Sequence, residues 1–269
     1  MILKSLPQLR LARLVCLAAS VSLVPAAQAQ KDDLDALLAR AGQQTSVFLR
    51  QFSDMKCTEK VAQEKINKDG KVEKNAESTY DYLVILGNNG GEMTLNESRL
   101  ALKEAKLEKQ KTSMLVTNGF ATLLLVFHPY YSGSFKYAVL GDSPVQGRRM
   151  KLVSFEHIRG TRSPAALSLR GREYPLELSG KAWIDPETGS IGRIIAGIGN
   201  TLEDIGLKTM DSEVDYAPIP FDSLSGNYWF PVKATVEVET PRQHWRNIHT
   251  FADYKLFSVS TEEKVATNK

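Results

Sequence analysis

Residues 180–189 read Gly180-Lys181-Ala182-Trp183-Ile184-Asp185-Pro186-Glu187-Thr188-Gly189, and this stretch decides how the surrounding chain folds. The apolar pairs Trp183-Ile184 and Ile194-Ile195 stand on either side of its turn residues. Pro186 presets its own φ angle and Gly189 tolerates a positive φ, so the sequence between the pairs favours a tight turn. The pattern therefore predicts two antiparallel strands joined as a hairpin.

Strict alternation of apolar and polar residues predicts another strand, which reads Val232-Lys233-Ala234-Thr235-Val236-Glu237-Val238. This period of two is typical of a strand with one face on the core and one face in water. Weaker patterns, separated by turn residues, predict strands at residues 57–66, 72–86, 92–100, 134–141, 148–158, 166–170, 174–184, 190–198, 209–216, 229–239 and 244–258.

Two helices are predicted beside these strands. Residues 32–53 repeat apolar side chains at three- and four-residue spacing, at Leu34, Leu37, Leu38, Ala41, Phe48, Leu49 and Phe52. Residues 114–127 have the densest apolar content after the leader described below. We expect a second helix there that ends before Pro129, because the residue before a proline is pushed out of helical geometry.

The predicted fold class is mainly β with some helix (α+β). One antiparallel sheet of this size has to curl, and its inner face has to be covered. We therefore predict a curled antiparallel sheet that forms a half-barrel covered by two or three helices, with a β-sandwich as the alternative. Residues 30–260 are predicted to form this single domain, and the polar residues 261–269 a flexible tail.

The first 29 residues have the layout of a cleavable secretory leader. An apolar run at residues 14–24 lies between three cations and the small residues of Ala27-Gln28-Ala29. This order predicts cleavage after Ala29 and a periplasmic or secreted location. The cations are Lys4, Arg10 and Arg13.

The charge balance of the chain depends on this leader. The formal net charge is +3, from 34 basic and 31 acidic residues, and the leader carries the whole excess. A neutral mature chain argues against a nucleic-acid partner. No later apolar run reaches the length of about 18–20 residues that a membrane-spanning helix needs.

The sequence has no residue pattern with the spacing of a catalytic or metal site. His244 and His249 are five residues apart, so on a strand they face opposite sides and cannot bind one metal ion together. Cys57 is the one cysteine after the leader, and we expect it to be a small buried residue. Carboxylates at two-residue spacing indicate solvated strand faces, at Asp211, Glu213, Asp215, Glu237 and Glu239.

From these patterns we expect no enzyme activity, no metal and no cofactor. An enzyme would need His157 or His249 to lie beside Cys57 or a carboxylate in a cleft. The sequence alone does not bring any of these residues together.

Apolar and aromatic residues are the best candidates for a functional surface. Residues 120–127 hold more large apolar side chains than one narrow helix stripe can bury, and aromatic residues follow closely. Two interpretations remain open at this point, a packed core or the wall of an apolar pocket. The candidate pocket residues are Phe120, Leu123, Leu124, Phe127, Tyr131, Tyr137, Trp229 and Val236.

Four features of the chain occur together. They are the leader followed at once by an amphipathic helix, the long hairpins, the hairpin at residues 180–194, and the closing strand Phe251-Ala252-Asp253-Tyr254-Lys255-Leu256-Phe257-Ser258-Val259. Together they resemble the half-barrel family of periplasmic lipoprotein carriers and outer-membrane lipoprotein-sorting proteins. The resemblance implies an apolar cavity between sheet and helices that shields acyl chains. No ligand-binding residue of the family maps by motif onto a position of this chain.

Two hypotheses on function follow. The first is a soluble periplasmic, non-catalytic protein that binds an apolar ligand such as an acyl chain or a lipoprotein. The alternative is a cell-envelope scaffold or interaction protein without a small-molecule site. Such a scaffold would contact an envelope protein through exposed edge strands or through the charged residues 103–111.

Overall fold

The computed structural model describes residues 26–89, 92–103, 119–169, 172–199, 202, 206–221 and 228–257. The predicted leader up to residue 25, the predicted tail and residues 114–118 of the predicted second helix lie outside these ranges. The elements are α1 (Ala26–Ser53), β1 (Met55–Ile66), β2 (Val72–Asn89), β3 (Glu92–Lys103), a 3₁₀ helix (Phe120–Phe127), α2 (Pro129–Ser132), β4 (Phe135–Val145), β5 (Arg148–His157), β6 (Ala166–Leu169), β7 (Arg172–Pro175), β8 (Leu178–Ile184), β9 (Ile191–Ile198), β10 (Thr209–Ile219), β11 (Tyr228–Glu239) and β12 (His244–Leu256).

Ten strands form one antiparallel sheet in the order β3-β2-β1-β12-β11-β10-β9-β8-β5-β4, and this sheet is not closed. The last strand, β12, returns to pair with β1 along its length, from Met55 opposite Leu256 to Ile66 opposite His244. β-Bulges bend and twist several strands, one of them between Asp215 and Tyr216. The prediction of one curled sheet with two or three helices is confirmed, and the β-sandwich alternative is not what the described residues form.

The hairpin turn at residues 185–189 forms as the sequence predicts. Asp185 Oδ1 accepts hydrogen bonds from the backbone N–H groups of Glu187 at 2.9 Å and Thr188 at 3.0 Å. Gly189 has a φ of +77° and donates its N–H to Asp185 O at 2.9 Å. A Cβ atom at Gly189 would lie 2.5 Å from the carbonyl carbon of Arg40, so the turn packs directly on α1.

Replacing Gly189 by alanine is expected to lower the free energy of unfolding by about 3 kcal/mol. The left-handed conformation contributes about 1–2 kcal/mol of this loss, and the clash with α1 the rest. Gly70→Ala is the matched control, because Gly70 has a φ of +76° but open space around the added Cβ. Urea unfolding measures both variants, and equal losses would contradict the packing of this turn against α1.

Two predicted elements differ from the structure. The strand expected at residues 174–184 is divided, because β7 ends at Pro175 and pairs with β6 in a separate two-stranded sheet. Proline has no N–H for the main ladder, which favours this break. The second predicted helix ends before Pro129 as expected, but its described part, Phe120–Phe127, is a 3₁₀ helix with a kink at Thr122.

Candidate functional site

The inner face of the ten-stranded sheet, which we call the concave face, is formed by every second residue of each strand. On β12 the buried positions alternate from Trp245 to Phe251, while the residues between them are less buried or exposed. The same alternation gives a continuous apolar surface, which includes Val84, Phe155, Ile194, Val214, Phe230 and Val236. An apolar surface of this extent has to be covered to keep water away from it.

Helix α1 covers one part of the concave face. Its buried apolar side chains are among those that the sequence predicted, Leu37, Ala41, Phe48, Leu49 and Phe52, and Thr45 is buried with them. The ring of Phe52 lies 5.4 Å from the ring of Phe230 and 6.3 Å from that of Tyr82, measured between centroids. Leu34 and Leu38 are partly buried and pack against the same cluster.

The 3₁₀ helix Phe120–Phe127, which we call the plug, covers the part of the concave face formed by β9, β10 and β11. Every residue from Ala121 to Phe127 is at most 6% exposed. The plug is therefore enclosed on all sides, by α1 on one side and the sheet on the other. Eight residues is long for a 3₁₀ helix, because its hydrogen-bond geometry is poorer than that of an α-helix.

Few polar contacts hold the plug in place. Tyr137 donates its hydroxyl to Val126 O at 2.6 Å, and Tyr216 donates to Ala121 O at 3.2 Å. Burial raises the pKa of both tyrosines, so both hydroxyls keep their protons and remain donors. At the N-terminal end of the plug, Gly119 donates its backbone N–H to Glu97 Oε1 at 2.6 Å.

The structure places the predicted pocket residues in the packed interior. Leu123, Leu124, Phe127, Tyr131, Trp229 and Val236 are buried, and Tyr137 is partly buried with its ring 5.4 Å from that of Phe127. Phe120 belongs to the plug, and its side chain lies outside the described part of the structure.

A cavity of about 10 Å³ lies between Thr45, Leu124 and Trp229. This volume suits about one water molecule. Within the described ranges, the apolar surplus that the sequence reveals therefore packs as a core, with the plug filling the concave face.

A buried ion cluster, formed by Glu59, Glu97, Arg99 and His249, interrupts the apolar surface near β1, β3 and β12. Glu59 is fully buried and accepts two hydrogen bonds from Arg99, at 2.5 Å from Nε and 2.9 Å from Nη2. His249 Nδ1 lies 2.8 Å from Glu59 Oε1. Because a carboxylate only accepts hydrogen bonds, Nδ1 is the protonated nitrogen of this ring.

Hydrogen bonding decides the charge state of Glu59. Burial alone would raise the pKa of this carboxyl group, but hydrogen bonds from His249 and Arg99 outweigh burial and lower the pKa below its ordinary value of 4.5. Burial would also lower the pKa of Arg99, and its hydrogen bond to Glu59 raises it instead. Both groups are therefore charged at neutral pH.

The histidine–carboxylate pair that an enzyme would need is thus present, between His249 and Glu59, but it lies in the core. The nearby thiol is not activated, because burial raises the pKa of Cys57 to about 12. His244 lies on the opposite face of β12, as its spacing from His249 predicts, and its Nε2 is 2.7 Å from Glu237. The described residues contain no group of three or more His, Cys, Asp or Glu side chains that could hold a metal ion.

The carboxylates at two-residue spacing lie on the outer face of the sheet. Asp211, Glu213 and Asp215 follow one another along β10 and border a shallow groove of about 230 Å³. Arg193 neutralises part of this charge, because its Nε lies 2.6 Å from Asp215 and 3.3 Å from Glu213. The arrangement matches the solvated strand face that the sequence predicts.

The ion cluster is the part of the site that the sequence analysis missed. A signal for it was present, because alternation along β1 puts Glu59 on the same face as Cys57 and Val61. A carboxylate on an apolar strand face needs a charged partner. The partners lie 40 and 190 residues away along the chain, so no local pattern identifies them.

Comparisons with known proteins give similarity in fold only. No family model matches the sequence, and no curated protein matches it. One similar solved structure is a DUF1329 family protein from Desulfovibrio piger, with 10% identity, coverage of 89% of this chain and 95% of that chain, and a TM-score of 0.38. Another is a putative outer membrane lipoprotein-sorting protein domain from Vibrio parahaemolyticus, with 10% identity, coverage of 84% and 94%, and a TM-score of 0.40. Within the described ranges, no helix combines the length and apolar composition that crossing a membrane requires.

Proposed function

We propose that the mature protein is a non-catalytic carrier of the periplasm or cell envelope that takes up an apolar ligand, such as an acyl chain or an acylated protein, between its sheet and helices. The observation that carries this proposal is the plug. An apolar peptide of eight residues occupies the concave face where an acyl chain would lie. A ligand binds by displacing the plug, since the plug fills this part of the concave face and the cavity beside Leu124 measures about 10 Å³.

The way the plug is attached supports its displacement. It is kinked at Thr122 and lies between β3 and β4 in the chain, outside every strand of the sheet. Gly119, at its N-terminal end, has a φ of +83°, and His128, at its C-terminal end, is extended. The plug can therefore leave the concave face without unfolding a strand of the sheet.

Compartment and chemistry support the remaining parts of the proposal. The layout of the first 29 residues favours export, and an acyl chain in an aqueous compartment needs an apolar shield. The high pKa of the Cys57 thiol and the buried position of the Glu59–His249 pair favour a binding role over catalysis.

Loosening the plug is expected to strengthen ligand binding. Tyr137→Phe removes the hydroxyl that bonds to Val126 O, which should lower the free energy of unfolding by about 1 kcal/mol. The same change raises the population of the open form, so the dissociation constant of a neutral apolar dye, 1-N-phenylnaphthylamine, should fall about fivefold. Dye fluorescence measures binding, and urea unfolding measures stability.

Tyr254→Phe is the matched control for this experiment. Tyr254 donates to Pro231 O at 2.6 Å, the same kind of bond at the same length, and its hydroxyl also contacts the Cys57 thiol, but all three residues belong to the sheet. This variant should lose similar stability without gaining affinity. Equal affinities in the wild-type protein and both variants would contradict the displacement of the plug.

The packed interior favours a second candidate function, an envelope scaffold without a small-molecule site. Strand β3 is one edge of the sheet, and it exposes 68% of Leu100 and 58% of Leu102. Exposed apolar residues on an edge strand suit contact with another protein. An absence of dye binding in the wild-type protein and in Tyr137→Phe would favour this candidate.

A further inference from the structure

Tyr82 has a hydrogen-bonding group that the fold does not use. Its side chain is 1% exposed and faces the concave side of β2. Its hydroxyl has no hydrogen-bond partner among the residues that the structure describes. A buried hydroxyl without a partner loses its hydrogen bonds to water and gains nothing in return, so such a group needs an explanation.

Tyr82 lies next to the ion cluster, at the end of the concave face where Glu97 bonds to Gly119, and we call this end the mouth. The guanidinium of Arg99 lies 5.0 Å from the centre of the Tyr82 ring. Arg99 stands opposite Tyr82 and Glu97 opposite Val84 in the pairing of β2 with β3, and Arg99 Nη1 lies 2.9 Å from Glu97 Oε2, so Arg99 links the phenol to the carboxylate. Gly119, which bonds to Glu97, is exposed, and this places the end of the plug beside solvent.

Glu97 has spare capacity as an acceptor. Its Oε1 accepts the Gly119 N–H, and its Oε2 lies 2.9 Å from Arg99 Nη1 without an aligned hydrogen bond from any described residue. When the plug leaves, the amide N–H on Oε1 leaves with it. The mouth then presents one free donor, from Tyr82, beside one free acceptor, from Glu97.

We infer that Tyr82 and Glu97 form a head-group site that selects acyl chains joined to a neutral amide. The inference builds on the proposed carrier function and names the class of ligand. An acyl amide has the same two groups as the plug. Its N–H donates to Glu97 at the mouth, and its apolar chain lies along the concave face. Its carbonyl oxygen accepts a hydrogen bond from the Tyr82 hydroxyl, which has no described partner while the plug is in place.

Charge disfavours a free fatty acid at the same site. The two carboxylates of Glu59 and Glu97 face the single guanidinium of Arg99, so a third carboxylate would be repelled and only partly paired. A methyl ester supplies a carbonyl acceptor but no N–H. Its affinity should therefore lie between those of the amide and the acid. We therefore expect the order dodecanamide, methyl dodecanoate, dodecanoate, from tightest to weakest, with about tenfold between the first and the last.

The test is displacement of bound 1-N-phenylnaphthylamine by dodecanamide, methyl dodecanoate, dodecanoate and dodecylamine, which share one chain length. In Tyr82→Phe the preference for dodecanamide over dodecylamine should fall about fivefold, because only the amide has a carbonyl oxygen that accepts the hydrogen bond that is lost. The unliganded variant should be as stable as the wild-type protein or more stable, since it removes an unpaired buried hydroxyl. Tyr228→Phe, on a half-buried tyrosine of β11, is the control and should leave the preference unchanged.

Each outcome separates this inference from the carrier function. If the dye binds but the four compounds displace it equally, or if Tyr82→Phe keeps the wild-type preference, the head-group site is wrong and the carrier function stands. Tightest binding of dodecylamine would instead identify a site for cations and overturn the amide assignment. If the dye binds neither the wild-type protein nor Tyr137→Phe, the carrier function itself fails.

Discussion

Replacing Glu59 by glutamine is expected to lower the free energy of unfolding by about 3–5 kcal/mol at pH 7. Glutamine keeps the shape of the side chain but removes the charge that pairs Arg99 and receives the His249 N–H. Its amide NH₂ group also faces an N–H donor at a position where the carboxylate oxygen accepted a hydrogen bond. The buried guanidinium is then left with Glu97 as its charged partner at 2.9 Å. Urea unfolding at pH 7 measures the loss.

A second glutamate on the same strand supplies the control. Glu64 pairs with Arg246 at 2.8 Å, also between β1 and β12, but both side chains are partly exposed. Solvent screens such a pair, so Glu64→Gln should lose less than about 1 kcal/mol. Similar losses in the two variants would contradict a structural role for the ion cluster.

The loss in Glu59→Gln should also depend on pH. Because the folded state lowers the pKa of Glu59, its contribution to stability is complete above the ordinary value of 4.5 and disappears as the pH falls through the folded value. The wild-type protein and Glu59→Gln should therefore differ most near neutral pH. The difference should shrink when urea unfolding is repeated at successively lower pH below 4.5. A constant difference over that range would mean that Glu59 is not ionised in the folded protein.

Replacing Phe127 by alanine should weaken the fold and strengthen ligand binding at the same time. Phe127 is 1% exposed, and its truncation leaves a cavity, so the free energy of unfolding should fall by about 3–5 kcal/mol. Phe127 belongs to the plug, however, and under the proposed displacement its contacts with the sheet are lost in the ligand-bound form. The substitution therefore destabilises the closed form selectively, and the dissociation constant for the apolar dye should fall about tenfold or more.

Phe155→Ala is the matched variant on the sheet. Phe155 is 2% exposed, and its ring lies 5.9 Å from that of Phe127, so the stability loss should be similar. Under the proposed displacement, Phe155 on β5 stays in place and forms part of the wall against which the ligand packs. This variant should bind the dye no more tightly than the wild-type protein. The two opposite effects on affinity would distinguish a displaceable plug from an ordinary core segment, for which both variants should behave alike.

Local patterns in the sequence predicted most of the secondary structure. Asp185-Pro186-Glu187-Thr188-Gly189 forms the expected turn, and the alternation at residues 232–238 matches the buried and less buried positions of β11. The apolar spacing of α1 likewise identified the helix face that contacts the sheet. Each of these features is decided by neighbours a few residues apart, which is why the sequence alone reveals them.

Features that depend on distant pairing could not be predicted in this way. The pairing of β12 with β1 joins the two ends of the described domain, and it brings His249 to Glu59. The plug was expected as a second helix because its composition is uniformly apolar. Such a composition has no amphipathic period, so it does not distinguish an α-helix from an enclosed 3₁₀ helix. Whether its side chains line a cavity or fill one depends on the curvature of the whole sheet.

Amide hydrogen exchange of residues 121–127, measured with and without saturating dodecanamide, tests the displacement of the plug most directly. Ligands usually slow exchange in the segments around their site, because they stabilise the folded state. We expect the opposite for the plug, with faster exchange at residues 121–127 when the ligand is bound and unchanged or slower exchange in β9, β10 and β11. Slower exchange throughout the plug in the presence of bound ligand would show that the plug remains in the concave face, and would contradict the mechanism proposed for this protein.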